Sequence, residues 1–141
     1  ELFLAAPYQA PLDSGISQLA MELANDDFVL SSIKSGWTKE LPPGKFSIHV
    51  GPLASGSMVL ASNKALTPIT LQNKDLMGVD MEAYAVMAAS DFARRNKPKS
   101  LVIKSVSDYA DLRKNNLWQE YASYTSVSFF DRLISNDYFQ I

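Results

Sequence analysis

Ile16, Leu19, Ala20 and Leu23 recur at the spacing of one helix face, so the chain is expected to form a helix there. Asp13 or Ser14 is its candidate cap, and the pattern runs out near Asn25 and Asp26. Trp118, Tyr121, Ala122, Thr125 and Phe129 share a face in the same way, which predicts a last helix with Asn116 as its candidate cap. Residues 82–95 read as a helix rich in Ala and Met. Arg94, Arg95 and Lys97 at its end would complement the helix dipole, and Pro98 would close it. Residues 63–73 have a helical pattern that Thr67-Pro68 weakens.

Shorter apolar runs read as strands at residues 28–33, 46–50, 53–61, 77–80 and 100–106. The last is the clearest, carrying Leu101, Val102, Ile103 and Val106. Residues 1–11 read as a loop or extended segment, 36–45 as a turn-rich connection around Pro42-Pro43-Gly44, and 111–116 as a polar loop. The tail from Ser135 is expected to fray.

This order of strands and helices predicts an α/β fold. A strand at 77–80, a helix, and a strand at 100–106 would bring both strand ends to one edge of a sheet. Open α/β sheets bind small molecules at such an edge. Glu82 and Asp108 would then face one ligand from neighbouring strands.

Composition narrows the field. With 141 residues, 47% of them apolar and 20% charged, the chain is a single globular domain (residues 1–141) or a piece of one. It starts without Met in what reads as ordered sequence, so a fragment is expected. A formal charge of −2 and a pI near 5.3 give no support for nucleic-acid binding. The absence of Cys removes disulfides, thiolate metal sites and Cys nucleophiles, and a single His speaks against a His-rich zinc site. No apolar run approaches the ~20 residues of a membrane span, and no basic leader precedes the first apolar residues. A cytoplasmic protein without a membrane partner is expected.

The candidate chemistry lies in two carboxylate-bearing stretches. Glu82 reads first as a carboxylate favoured at a helix N-terminus, and alternatively as a bidentate acceptor for adjacent sugar hydroxyls. Met81 reads as core filler, or as an apolar floor under a sugar ring. Asp80 reads as a turn-forming residue at a strand end, or as support for its neighbours. Asp108 reads as a turn-initiating residue, or as a general acid kept protonated by partial desolvation. Ser55-Gly56-Ser57 offers donors to an anion or marks a bulge, and it is not a P-loop. His49 reads as structural, since no Ser or Cys elbow accompanies it.

Three stretches taken in order resemble a known family: His49-Val50-Gly51-Pro52-Leu53-Ala54-Ser55-Gly56, Gly78-Val79-Asp80-Met81-Glu82-Ala83, and Ile103-Lys104-Ser105-Val106-Ser107-Asp108-Tyr109-Ala110-Asp111. They resemble the nucleoside phosphorylase/nucleosidase superfamily, and most closely its methylthioadenosine/S-adenosylhomocysteine nucleosidase-like domains. The resemblance covers residues 46–133. It implies a three-layer αβα fold around a mixed, partly closed sheet, with the N-terminal strands of the family missing from this chain.

It also implies roles. Glu82 would bind the ribose hydroxyls and Met81 would pack on the ribose, beside Asp80. Val59 and Leu60 would hold the base, Asp108 would protonate N7 of the purine, and Ser107 would help to place it. Tyr121 falls about where phosphorylases of the superfamily carry an assisting Arg, which leans toward water rather than phosphate as the nucleophile. The resemblance implies a small nucleoside as partner, self-association into homo-oligomers, and no metal or organic cofactor. The carboxylate that activates the attacking water lies, in the family, in the N-terminal half that is not seen here.

Overall fold

The computed structural model describes residues 9–56, 63–108 and 118–139. Among them the chain forms five α-helices, two three-residue strands and one 3-10 turn: α1 (Ser14–Ala24), α2 (Asp27–Ser35), β1 (Leu53–Ser55), α3 (Asn63–Gln72), β2 (Gly78–Asp80), α4 (Ala83–Asp91), α5 (Gln119–Ile134) and the turn Asp137–Phe139. β1 and β2 are parallel and make up the whole of the sheet seen in these residues. The expected three-layer αβα architecture is therefore corrected to a mostly helical one.

Contacts divide the chain into two compact units. The first holds described residues 9–13, 51–56 and 63–102, with β1, α3, β2 and α4. The second holds residues 14–50, 103–108 and 118–139, with α1, α2, α5 and the 3-10 turn.

The second unit is a helical cluster. α1 buries Ile16, Leu19 and Ala20, as its periodicity predicts. α5 buries Tyr121, Ala122, Thr125, Phe129 and Leu133 along one stripe. α2 packs on both helices through Val29 and Ile33. Residues 28–33 were expected to be a strand, and three physical facts make them helical. The Asp26 carboxylate accepts from the Phe28 and Val29 amides at 2.8 and 3.2 Å, capping the helix. Val29 and Ile33 stand four residues apart and are both buried, while Phe28 is 75% exposed. Ser31, which a two-residue repeat would put on the same face as Val29 and Ile33, is exposed. The tail was expected to fray from Ser135, but its described part ends in the 3-10 turn Asp137–Phe139, which packs on α5.

In the first unit the buried apolar residues, among those described, are Ala83 and Ala88 of α4, which packs on β1. Leu71, Met77, Met81, Val86 and Phe92 are exposed. Met77 lies over the chain at Gly51, where a Cβ would stand 2.7 Å from its Cγ and the exposed Met77 side chain would have to shift. α3 forms over its predicted span with Pro68 inside it.

α4 is shorter than its predicted span and ends at its cap Phe92. Arg94, Arg95 and Lys97 lie beyond the last turn, so they do not complement its dipole as expected. The chain turns there through Asn96 at φ 47°, a conformation Asn tolerates. It is tied back to α4 by Lys97 to Asp91 at 3.1 Å, by the Ser90 hydroxyl donating to the Pro98 carbonyl, and by the Ser100 hydroxyl 3.2 Å from the Met87 sulfur.

Two further strand expectations are corrected. Residues 46–50 alternate half-buried Phe46, Ile48 and Val50 with exposed Ser47 and His49, yet they join no ladder. Residues 100–106 also form no strand. β-propensity describes a fit to a neighbouring pleated surface, and without a paired neighbour the apolar run stays extended but unladdered. The Asn116 cap and the loop at residues 111–116 lie outside the described residues.

Candidate functional site

The Gly78–Asp80 strand runs parallel to Leu53–Ser55 in the register Leu53↔Gly78, Ala54↔Val79 and Ser55↔Asp80. Both strands therefore end at the same edge, and α4 begins directly beyond it. The Gly56 amide donates to the Asp80 carbonyl at 3.0 Å, extending the pairing by one step.

The turn from β2 into α4 is fixed by side chains at that edge. The Asp80 carboxylate accepts from the Ala83 amide at 3.0 and 3.2 Å through its two oxygens, and from the Glu82 amide at 3.4 Å. The Ser55 hydroxyl accepts from the Tyr84 amide at 3.1 Å. These are the first N–H groups of α4, which have no acceptor within the helix itself. The capping role that the sequence suggested for Glu82 thus belongs to Asp80 with Ser55. Glu82 stands at the N-cap position (φ −119°, ψ −25°) and makes no side-chain cap bond.

Glu82 and Met81 are both exposed beside this locked turn. An exposed carboxylate has two acceptor oxygens, the pattern that two adjacent hydroxyls of a sugar require. An adjacent thioether offers an apolar, polarisable surface. Tyr84 is also exposed at the same helix start. The importance of Ser55 to this edge was hidden in the sequence, because it depends on the register that sets Ser55 opposite Asp80.

Ser107 and Asp108 belong to the second unit and are half-buried. The strand expected to present Asp108 is not formed, so its placement at a strand end is corrected. Lys104 and Val106 are exposed while Ser105 and Ser107 are half-buried, an alternation that holds to residue 107 and stops at Asp108. The Ser105 hydroxyl stands 2.7 Å from that of Thr125 and accepts from Ser126 at 2.9 Å, which ties this segment to α5. Val59 and Leu60, the expected base-holding residues, lie outside the described residues.

The second unit also holds an aromatic cluster that the sequence did not reveal. Trp37 meets Tyr121 edge-on at 5.3 Å between centroids and Tyr124 at 5.1 Å. Tyr121 and Tyr124 are three apart on α5, a helical spacing that signals half of this cluster, but Trp37 comes from the loop after α2. The Tyr124 hydroxyl donates to the Ile33 carbonyl at 2.8 Å. Lys39 stands 5.7 Å from the Trp37 ring centre and 2.5 Å from Glu120. Its ammonium holds the Glu120 carboxyl below the ordinary value, and burial, followed by neighbouring Tyr124, holds the Tyr121 phenol above its own. A shallow, open depression lies between α2 and α5, lined by Ile33, Tyr124, Val127, Asp131 and Arg132 among others. It is in the other unit from Glu82.

Among the described residues no group of three or more His, Cys, Asp or Glu side chains converges to hold a metal ion. No helix of the described residues is long and apolar enough to cross a membrane.

The chain is 36% identical over 138 residues to the uncharacterized protein y4jS of Sinorhizobium fredii (strain NBRC 101917 / NGR234). The alignment takes in 95% of this chain and 33% of the relative, so the chain spans about a third of that protein's length. No protein-family model and no solved structure matches the chain.

Proposed function

We propose that this chain is part of a purine nucleosidase that hydrolyses the N-glycosidic bond of an adenine nucleoside such as methylthioadenosine or S-adenosylhomocysteine. The reading rests on the resemblance of the three motifs to the nucleosidase superfamily. The single observation that carries it is the exposed pair Met81-Glu82 at the edge where two parallel strands end. Glu82 accepts the two ribose hydroxyls and Met81 covers the sugar's apolar face. Asp80 and Ser55 hold the turn, and their bonds to the α4 amides occupy the donors that would otherwise attract a phosphate.

The chemistry asks for a proton donor. Breaking the glycosidic bond leaves positive charge on the ribose and negative charge on the base, and protonation of N7 removes the second. Asp108 is assigned that role, with Ser107 placing it. Water then captures the ribose.

A second reading is a nucleoside-sensing module that binds without turnover. It is favoured by the corrected geometry of residues 100–108, where the strand that should present the acid is not formed. Phosphorolysis, by a purine nucleoside phosphorylase, is the further enzymatic alternative.

Chromatography of the chain incubated with methylthioadenosine, S-adenosylhomocysteine, adenosine and inosine, with and without phosphate, separates the three. Free base without phosphate, lost in Asp108→Asn, is the expected result. Ribose-1-phosphate formed only with phosphate marks a phosphorylase. Binding without base release marks the sensing module, and neither binding nor release of any nucleoside rejects the proposal.

A further inference from the structure

Residues 103–108 join no ladder among the described residues, yet they alternate, with Ser105 and Ser107 half-buried and Lys104 and Val106 exposed. A chain of hydroxyls ties the segment to α5 at Ser105. Thr125, 3% exposed on the inner stripe of the helix, donates its one hydroxyl proton to the Tyr121 carbonyl at 3.0 Å, with the Ala122 carbonyl 3.1 Å away. Its oxygen is left to accept, so the Ser105 hydroxyl, 2.7 Å away, is the donor of that pair. Ser105 in turn accepts from Ser126, whose proton is shared with the Ala122 carbonyl, both at 2.9 Å. The three hydroxyls form a directed clip anchored on the backbone of α5, and Ser105 is the member that the extended segment contributes.

The clip suits one register. A slip of one residue would bring Lys104 or Val106 toward α5 and turn Ser105 and Ser107 outward. Val106 has no hydroxyl to offer, and Lys104 would bring an ammonium against the buried Thr125. The bond from Ser105 to Thr125 therefore selects which side chains face the helix. It also selects where the alternation stops, which is at half-buried Asp108.

We propose that Ser105, clipped by Thr125 and Ser126, is the positioning residue for Asp108: it fixes the register of residues 103–108 on α5 and so sets where the carboxyl leaves the segment. The acid role of Asp108 rests on the nucleosidase reading above. Ser105 acts through the chain, three residues before the carboxyl, and not on the substrate.

Two variants of the 141-residue chain test this. Ser105→Ala removes the hydroxyl and Ser105→Thr keeps one. Both should retain the helix content of the wild type by circular dichroism, because residue 105 lies outside the helices. Register is read first, without any nucleoside. The chain has no Cys, so single thiols introduced at exposed Val106 and half-buried Ser107 report without background. Alkylation of Val106→Cys should be at least about threefold faster than that of Ser107→Cys, a difference that Ser105→Ala abolishes and Ser105→Thr preserves. Activity is read second. In Ser105→Ala, kcat for base release from methylthioadenosine should fall at least about tenfold with KM within about twofold of the wild type, and Ser105→Thr should recover it. Equal alkylation at the two positions with Ser105 in place, or a difference that survives Ser105→Ala, overturns the clip. A lost difference with kcat unchanged overturns the positioning role. No base release by the wild type rejects the nucleosidase reading, and the positioning role with it, while the alkylation rates still decide the clip.

Discussion

The two units solve the same problem with different means. The second packs three helices around Ile16, Ile33 and Leu133, large side chains with almost no exposure. Among its described residues the first buries only two apolar side chains, both alanines, and leaves several large ones in water. What it has instead is directed polar bonding, since Asp80 and Ser55 fix the start of α4. Among the described residues, large apolar side chains are buried mainly in the second unit, and the proposed sugar-binding edge lies in the first. Groups held at the surface for a ligand do not contribute to a core.

That contrast can be broken most forcefully at Leu133, which is 0% exposed. Leu133→Ala should destabilise the second unit by about 2–5 kcal/mol through lost transfer energy and a residual cavity. Both tryptophans, Trp37 and Trp118, belong to this unit, so their fluorescence in a denaturant titration follows its unfolding. A midpoint like that of the wild type would show that the helical cluster is not centred there.

Gly36→Ala should come next. A Cβ at residue 36 would stand 2.3 Å from the Tyr124 hydroxyl, which is held by the Ile33 carbonyl. Either the ring moves or the hydrogen bond breaks, for about 1–3 kcal/mol in the same titration. Asp80→Ala probes the first unit. Losing the cap should cost about 0.5–2 kcal/mol. It should be read as faster hydrogen exchange at the amides of Glu82, Ala83 and Tyr84, without change in tryptophan fluorescence. Unaltered exchange would remove Asp80 from the account of the turn.

The smallest effect is a pH dependence. Burial raises the Tyr121 phenol above its unfolded value near 10, so the neutral form is favoured in the folded state. Its contribution is fully present below the unfolded value and is lost as pH rises through the folded one. Tyr121→Phe should therefore lose less stability than the wild type above pH ~10, and the two should run parallel below it. Parallel curves throughout would contradict the burial argument.

Part of this contrast was legible in the sequence. The 3.6-residue repeats of α1 and α5 identify their buried faces because each helix packs on one side by periodicity alone. α2 was misread because Phe28-Val29-Leu30 has strand-like propensity, while the Asp26 cap and the Val29–Ile33 spacing carried the helical signal. Residues 100–106 have the composition of a strand but no ladder partner, and pairing is a long-range property that a local run does not encode. At the candidate site the place of Met81-Glu82 between a strand end and a helix start was legible, but the exposure of Met81 was not, since its first reading was core filler. The division of labour between Asp80 and Glu82 was not, because it depends on the turn geometry that places two amides on one carboxylate.

The proposal that Glu82 receives a nucleoside's ribose is tested most directly by isothermal titration of methylthioadenosine into the wild type and into Glu82→Gln, a near-isosteric change at an exposed residue. Loss of charge-assisted hydrogen bonds to the sugar should weaken binding by about tenfold or more. Equal affinity in the two proteins, or no binding by the wild type, would contradict it.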